Sequence, residues 1–370
     1  MKSRAAVLWE SPGEWDVVEV DVDEPKDHEI LVRYVSAGLC HSDDHVAKGD
    51  VPSAHLPYCG GHEGAGVVEQ VGAAVRDLRP GDHVVASFIP GCGRCRWCAE
   101  GKQNLCDNGA FMMTGTQLDG TFRLHHGDVD VAQCSLVSTF SEYSVLPEWG
   151  AIKIDKSIPL QSAALIGCGV PTGWGSAVNA AAVRPGQVVV VMGVGGIGIN
   201  AVQGARHAGA LRIVAVDPVE FKRESALKLG ATDAVGTMAE ATALAKDLTN
   251  GQGADSAIVC VGVATGEHVA EAFAAVRKDG TVVLTAVANY AATGIPVNLL
   301  ELAMYQKRIQ GALFGMCSPT RDVPHLLEMY RQGSLRLDEL VTRRYPLEEI
   351  NQGYADMHAG VNLRGVVDFA

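Results

Sequence analysis

From residue 1 to about 165 the apolar positions come in short β-type runs broken by glycine and proline: AAVLW, WDVVEVDV, EILVRYVSAG, GAGVVEQVG, HVVASF and SEYSVL. Such runs predict strands, and VRDLRPGDHV places a Pro-Gly-Asp turn signal between two of them. From about 170 the texture changes. Apolar strands (QVVVVMG, RIVAVD, SAIVCVG, TVVLTAV) alternate with Ala-rich stretches of helical pattern (IGINAVQGARHAGA, VEFKRESALKLGA, TGEHVAEAFAAVRKDG). Strand and helix in alternation predict an α/β fold with a parallel, doubly wound sheet. After KRIQGALFG the regularity weakens into two amphipathic helices, VPHLLEMYRQG and LEEINQGYADMHAG, and a final apolar run, RGVVDF, predicted to return to the first domain. No solenoid-period repeat and no low-complexity segment interrupts this order. The stretch SAGLCHSDDH, residues 36–45, reads in isolation as a polar loop.

Composition narrows the function classes. A chain of 370 residues with 47% hydrophobic content is long enough for two domains and at least one sizeable core. Its net charge of −13, with no run of Lys or Arg, opposes a polyanionic partner, so nucleic acid is excluded as a target. The N-terminus offers only AAVLW before Glu10, too short for a signal-peptide core or a membrane span, which predicts a cytoplasmic protein. Ten cysteines in that compartment read as thiols or metal thiolates rather than disulfides.

Chemistry enters first at Gly193-Val-Gly195-Gly196-Ile197-Gly198, which follows the apolar run QVVVVM and opens an Ala-rich helix. In that context G-x-G-x-x-G predicts a dinucleotide loop: glycines allow the tight turn and let backbone N–H groups approach a pyrophosphate at a helix N-terminus. The alternative is a Gly-rich turn that merely packs helix on sheet. Asp217 ends the next strand, where a carboxylate hydrogen-bonds an adenosine ribose and repels a 2′-phosphate, favouring NAD over NADP. Arg223 nearby tempers that preference.

The cysteines fall into two groups. Cys92, Cys95, Cys98 and Cys106 follow a C-x2-C-x2-C-x7-C spacing in one loop, which lets four thiolates close a tetrahedron around a structural zinc. An iron–sulfur cluster takes the same four donors, and four unligated surface thiols are a further alternative. A catalytic zinc needs three protein ligands and an open position, often from distant parts of the chain. Cys40, His62 and Cys168, each at a strand end or Gly-rich bend, are candidates. Taken singly, each also fits a buried thiol or a hydrogen-bonded histidine.

GLCHSDDH, GGHEGAGVVEQVG, the four-cysteine loop, GCGVPTGWGSAV, GVGGIGI, VDPVEFKRESALKLGA and LRGVVDF together resemble the zinc-dependent medium-chain alcohol dehydrogenases over essentially the whole chain. Within that family, LDGTFRLHHGD and GVGGIGINAVQGARHAGA are similar to the actinobacterial nicotinoprotein subgroup, the nitrosoaniline-dependent alcohol dehydrogenases, which hold NAD(H) tightly and recycle it in place. The resemblance implies a GroES-like β-rich catalytic domain over 1–169 and 314–370, carrying the structural zinc loop, and a Rossmann NAD-binding domain over 170–313. It implies two zincs per chain, one catalytic and one structural, and NAD(H). Cys40, His62 and Cys168 would ligate the catalytic zinc. Asp43 would orient the His62 imidazole, and Glu63 would be a carboxylate able to approach the metal. Ser42 would hydrogen-bond the substrate hydroxyl, and His45, near the surface, would end a proton relay through the nicotinamide ribose. Thr172 and Gly193, Gly195, Gly196, Ile197 and Gly198 would hold the cofactor, with Asp217 and Lys222 at the adenosine ribose and Arg364 near the pyrophosphate. His41 stands where arginine is common, beside the same phosphates. Phe88, four residues before the zinc loop, is a candidate pocket wall, and Trp174 reads as core.

The implied reaction is oxidation of primary alcohols to aldehydes, or the reverse, by hydride transfer to NAD. Zinc lowers the pKa of a bound hydroxyl, and hydride leaves an alkoxide more readily than a neutral alcohol. The implied partners are a small alcohol or aldehyde, an unidentified electron acceptor and further copies of the chain as a dimer or tetramer, with no nucleic acid and no membrane. Two other readings share these residues: a thiol-adduct formaldehyde dehydrogenase, and a non-catalytic NAD(H)-binding redox sensor. The remaining histidines, His125 and His126 among them, read as solvated or structural.

Overall fold

The structure, a computed structural model, describes residues 1–369. The chain forms two compact units, Met1–Cys168 together with the segment from Ser318 onward, and Gly169–Cys317. Their second boundary lies after Cys317 because Leu313–Met316 pack on the Gly169–Gly175 helix, where Gly315 approaches the Thr172 carbonyl.

In the first unit Lys2–Leu8, Trp15–Val22, Leu124–His126, Val129–Gln133 and Tyr58–Cys59 close a barrel in that order. Beside it, a seven-stranded sheet runs Ala151–Ile154, His83–Ala86, Gly64–Val71, Glu29–Gly38, Arg364–Asp368, Val341–Tyr345, and Tyr143–Pro147 also pairs with Glu29–Gly38. Along WDVVEVDV the buried face switches, Trp15 packing into one core and Val20 and Val22, on the opposite face, into another. The terminal RGVVDF run pairs antiparallel with Glu29–Gly38, Val366 opposite Gly38.

The second unit is a parallel six-stranded sheet. Its strands are β1 (Val188–Met192), β2 (Arg212–Val216), β3 (Asp233–Val235), β4 (Ala254–Val259), β5 (Val276–Leu284) and β6 (Arg308–Gly311), ordered β3-β2-β1-β4-β5-β6. β1 is the most apolar, with all five residues buried, because it sits inside the sheet with helices to cover it. The order reverses beside β1, and in such sheets the crevice at the strand carboxyl ends takes the ligand.

Three local expectations change. SAGLCHSDDH is not a loop beyond Cys40: His41–Lys48 form helix α1, with Asp43 and Asp44 in the first turn, where carboxylates favour the helix N-terminus. The helix expected through TGEHVAEAFAAVRKDG stops at Ala275, and β5 starts at Val276. Val276 is buried opposite Ala254, and Arg277 Nε donates to Asp255 Oδ1 at 2.8 Å, so pairing with β4 overrides the helical pattern. A further helix, Met238–Leu248, carries a reciprocal Thr237–Glu240 capping box whose T-x-x-E signal the chain displays openly. Among the described residues, no helix is long and apolar enough to cross a membrane.

Candidate active site and nucleotide loop

Sheet register brings the first candidate ligands together. Ala37 pairs with Gly64, so the residues leaving Glu29–Gly38 lie beside those entering Gly64–Val71, and Cys40 meets His62 and Glu63. Cys168 arrives through Gly167, where a Cβ would stand 2.8 Å from the Ala86 carbonyl oxygen and 3.2 Å from Glu63 Cα. Only glycine lets the backbone pass so close. One ligating atom each from Cys40, His62, Glu63 and Cys168 then lies within 4.8 Å of the others, and all four residues are buried.

Asp43 supports this set. Its Oδ2 lies 3.1 Å from His62 Nδ1, and its Oδ1 accepts the Gly61 N–H at 2.8 Å and the Cys134 thiol at 3.6 Å. With Nδ1 turned to the carboxylate, His62 presents Nε2 to the cluster, the arrangement that fixes a metal-binding tautomer and raises its basicity. Burial opposes protonation of His62, but Asp43 and the two thiols outweigh it and raise its pKa well above the usual range. A hydrogen bond from Cys168 holds the Cys40 thiol well below its ordinary value, while the same bond and burial push Cys168 up. Two sulfurs, an imidazole and a carboxylate in one dry cluster suit zinc, and three of them leave a fourth position for substrate. The Glu63 carboxylate, raised by burial and lowered by Arg364, pairs with Arg364 Nη2, which also donates to the Leu39 carbonyl at 3.1 Å. The Arg364 guanidinium is thus tied into the ligand cluster.

Helix α1 carries the other candidates. Ser42 Oγ lies 3.7 Å from Cys40 Sγ. The His41 ring sits 6.5 Å from that of His45 and 6.2 Å from that of His358, while His358 Nε2 lies 3.1 Å from Asp44 Oδ1. Asp44, without a task in the sequence, therefore anchors helix Ile350–His358 onto α1. His45 is not near the surface as expected: it is 2% exposed, because α1 packs its polar face inward. Phe88 meets His62 edge-on at 5.5 Å. Cys134 escaped the sequence reading, since no spacing ties it to Asp43.

The four-cysteine loop is equally well formed. Cys92 and Cys98 sulfurs are 4.0 Å apart and Cys95 and Cys106 sulfurs 3.9 Å apart. A zinc–sulfur tetrahedron of about 2.3 Å bonds has edges of about 3.8 Å, so the loop fits a closed, structural site. The Cys92 and Cys95 backbone N–H groups donate to the Cys106 and Cys92 sulfurs, respectively, as thiolates require. Backbone N–H groups, that of Asp107 first, pull the Cys95 thiol down to about 6. All ten cysteines are free of disulfides.

In the second unit the glycine loop lies between β1 and helix α2 (Gly198–His207). Gly193 has φ +83°, and a Cβ on Gly198 would stand 1.8 Å from the Gly193 carbonyl oxygen, so the turn admits no side chain there. A Cβ at Gly195 would meet only Lys222 Nζ, at 4.0 Å, leaving the backbone open toward a cation as a diphosphate needs. Asp217 is buried; its Oδ2 accepts the Val194 N–H at 3.1 Å and its Oδ1 the Val219 N–H at 2.9 Å. Arg223 Nη1 is turned to the Asp217 and Pro218 carbonyls, each at 2.8 Å. Thr172 is buried in the Gly169–Gly175 helix and Trp174 is buried there too. His125 lies between Asp130 and Asp23, at 2.8 and 3.2 Å, on the barrel surface.

A dry thiol–imidazole–thiol set, a closed four-sulfur loop and a glycine-loop nucleotide fold on one chain define a zinc- and dinucleotide-dependent oxidoreductase. Comparison with known proteins agrees. Residues 26–156 match the alcohol dehydrogenase GroES-like domain and residues 196–332 the zinc-binding dehydrogenase domain. The NDMA-dependent alcohol dehydrogenase of Amycolatopsis methanolica is 48% identical over 367 residues, covering 99% of each chain. Alcohol dehydrogenase B of Mycobacterium tuberculosis is 45% identical over 370 residues, covering 100% of this chain and 99% of that one. The crystal structure of benzyl alcohol dehydrogenase from Acinetobacter calcoaceticus superposes with a TM-score of 0.93 at 30% identity, covering 100% of both chains. The chain belongs to the zinc-binding alcohol dehydrogenase family, and it is an enzyme that oxidises alcohols with zinc and NAD(H) as cofactors.

Proposed function

We propose that this enzyme oxidises primary alcohols to aldehydes, and reduces aldehydes in reverse, with NAD(H) held tightly and recycled in place by a second small-molecule electron acceptor. The convergence of Cys40, His62 and Cys168 beside Ser42 carries the reading, and the similarity to an NDMA-dependent relative supports the retained cofactor. Cys40, His62 and Cys168 would hold the catalytic zinc, with Glu63 able to approach it; Cys92, Cys95, Cys98 and Cys106 would hold the structural one. When bound, zinc supplies a Lewis acid that acidifies the substrate hydroxyl and the nicotinamide accepts hydride. Ser42 takes the hydroxyl proton and His45 receives it onward. Asp43 keeps His62 oriented. Burial of the cluster excludes water, and Phe88 walls the apolar side. In the second unit Thr172 and the Gly193–Gly198 loop bind the cofactor, with Asp217 and Lys222 at the adenosine ribose. In the first, the Arg364 guanidinium and the His41 ring are the groups assigned to its diphosphate; burial lowers the His41 pKa, so His41 serves as a hydrogen-bond donor and Arg364 supplies the charge.

The test is to purify the protein, measure bound nucleotide, and assay primary alcohols with a nitrosoaniline acceptor or with free NAD. About one nucleotide per chain is expected, with turnover on the acceptor and little on free NAD. Ready use of free NAD overturns the retained cofactor, and no oxidation of primary alcohols under either condition overturns the substrate class.

The free cysteines support a cytoplasmic location. A homo-oligomer, dimer or tetramer, is supported by the second unit: β6 is an edge strand, and on the helix that leads into it Leu299, Leu300 and Met304 are 75, 70 and 70% exposed. An open edge flanked by large apolar groups favours pairing with another chain. Sedimentation is expected to give a dimer or larger, and Leu300→Asp with Met304→Lys to shift it toward monomer; a monomeric wild type rejects the assignment.

A further inference from the structure

The turn that ends α1 folds a carboxylate back onto that helix. Gly49 takes a left-handed conformation, φ +80°, and the N–H groups of Asp50 and Val51 both donate to the His45 carbonyl, at 2.8 and 3.2 Å. This tight return sets the Asp50 side chain against the His45 ring, with Oδ2 3.1 Å from Nδ1. The two members of the pair meet solvent unequally: the His45 side chain is 2% exposed and that of Asp50 27%. A histidine placed to pass protons is therefore sealed from water, and its carboxylate neighbour is not.

An imidazole has two nitrogens, and the hydrogen bond made by one decides which of them is free to accept a proton. A carboxylate at Nδ1 keeps the proton there and leaves the Nε2 lone pair as the base. When Nε2 takes a proton, the ring becomes a cation in a buried place, which is costly unless a counter-charge stands beside it. Asp50 is that counter-charge.

We propose that Asp50 is a positioning residue of the alcohol oxidation, holding His45 in its Nδ1–H form with Nε2 as the proton acceptor and balancing the imidazolium that forms in turnover. The division of labour is that of a carboxylate behind a catalytic histidine. The inference rests on the reading of His45 as a relay base. Nothing in the spacing of His45 and Asp50 marks the pair in the sequence; the left-handed turn at Gly49 makes it.

The test uses the zinc-loaded protein with its nucleotide, labelled with 15N-histidine, and His45→Gln to assign the signal. Nitrogen shifts are expected to show His45 as the Nδ1–H tautomer in the wild type and in Asp50→Asn, whose amide oxygen still accepts, and as a tautomer mixture in Asp50→Ala. On mixing with a primary alcohol, nicotinamide reduction is expected to slow about 10- to 100-fold in Asp50→Ala, a part of what general acid–base catalysis contributes. KM for the alcohol and zinc content are expected to stay near wild type, and Asp50→Glu to recover part of the rate. A wild-type His45 found in the Nε2–H form overturns the inference without any variant. Wild-type reduction by Asp50→Ala alongside slow His45→Gln overturns it while leaving the relay intact. Wild-type reduction by His45→Gln overturns the relay reading, and this inference with it.

Discussion

Replacing His62 with alanine is expected to lower alcohol oxidation by about a thousandfold or more, equivalent to about 4 kcal/mol of transition-state stabilisation. The variant is expected to keep about one of its two zincs. The reason lies in how the cluster is built. His62 is the imidazole donor grouped with the two thiols, and Asp43, itself held by the Gly61 N–H and the Cys134 thiol, fixes its ring. Removing the imidazole leaves Asp43 buried with its Oδ2 facing an empty space, so the site loses both a ligand and the balance of its charges. Metal analysis together with steady-state rates checks the result. Two zincs per purified chain with activity near wild type would remove His62 from the ligand set. Asp43→Asn separates position from ligation: it keeps a hydrogen-bonding side chain but not the charge, and the loss expected in zinc affinity or activity is about 10- to 100-fold.

The second large effect concerns the four-sulfur loop. Cys98→Ala is expected to leave the catalytic chemistry formally intact while costing the chain its structural zinc. Apart from hydrogen bonds that join Gly101 and Gln103 to Ser318 and Thr320, little ties residues 92–106 into a fixed shape: the Arg96–Ala99 helix is one turn long and buries none of its residues. Coordination by four thiolates is folding free energy for such a loop. A lower melting midpoint by about 5 °C is expected, from a loss of about 3–5 kcal/mol in a chain of this size. The test is the order of events on warming: Cys98→Ala keeps its activity at low temperature and loses it with its structure at the lowered midpoint, whereas His62→Ala is inactive at every temperature, including those at which it is folded. Two zincs and an unchanged melting midpoint in Cys98→Ala would overturn the structural site.

These two sites also mark how far a one-dimensional reading reaches. The four cysteines are legible because a tetrahedron can be closed by one loop, so the spacing of its donors survives in the sequence. The nucleotide loop is legible for the same reason: strand, tight turn and helix are consecutive, and Gly193, Gly195 and Gly198 each serve a local backbone need. Composition and the alternation of apolar strands with Ala-rich helices were enough for the parallel sheet, because each strand there is covered by the helix that follows it. The shortened helix at Ala275 shows the limit even of periodicity, since Val276 follows its partner in β4 and not its neighbours in the chain.

Cys40, His62 and Cys168 are different. As isolated residues each was as well explained by ordinary burial, and only resemblance to a family joined them. Their meeting is set by the register of Ala37 on Gly64 and by the close passage of Gly167, contacts that carry no period or spacing. The same holds for Cys134 under Asp43, for Glu63 with Arg364 at a separation of 301 residues, and for the burial of His45 against Asp50. By itself the sequence determined the units whose ligands are neighbours along one turn or loop. The tertiary structure alone decided which distant side chains share a dry space, because long-range contacts depend on sheet register and backbone clearance, and neither is written in local order.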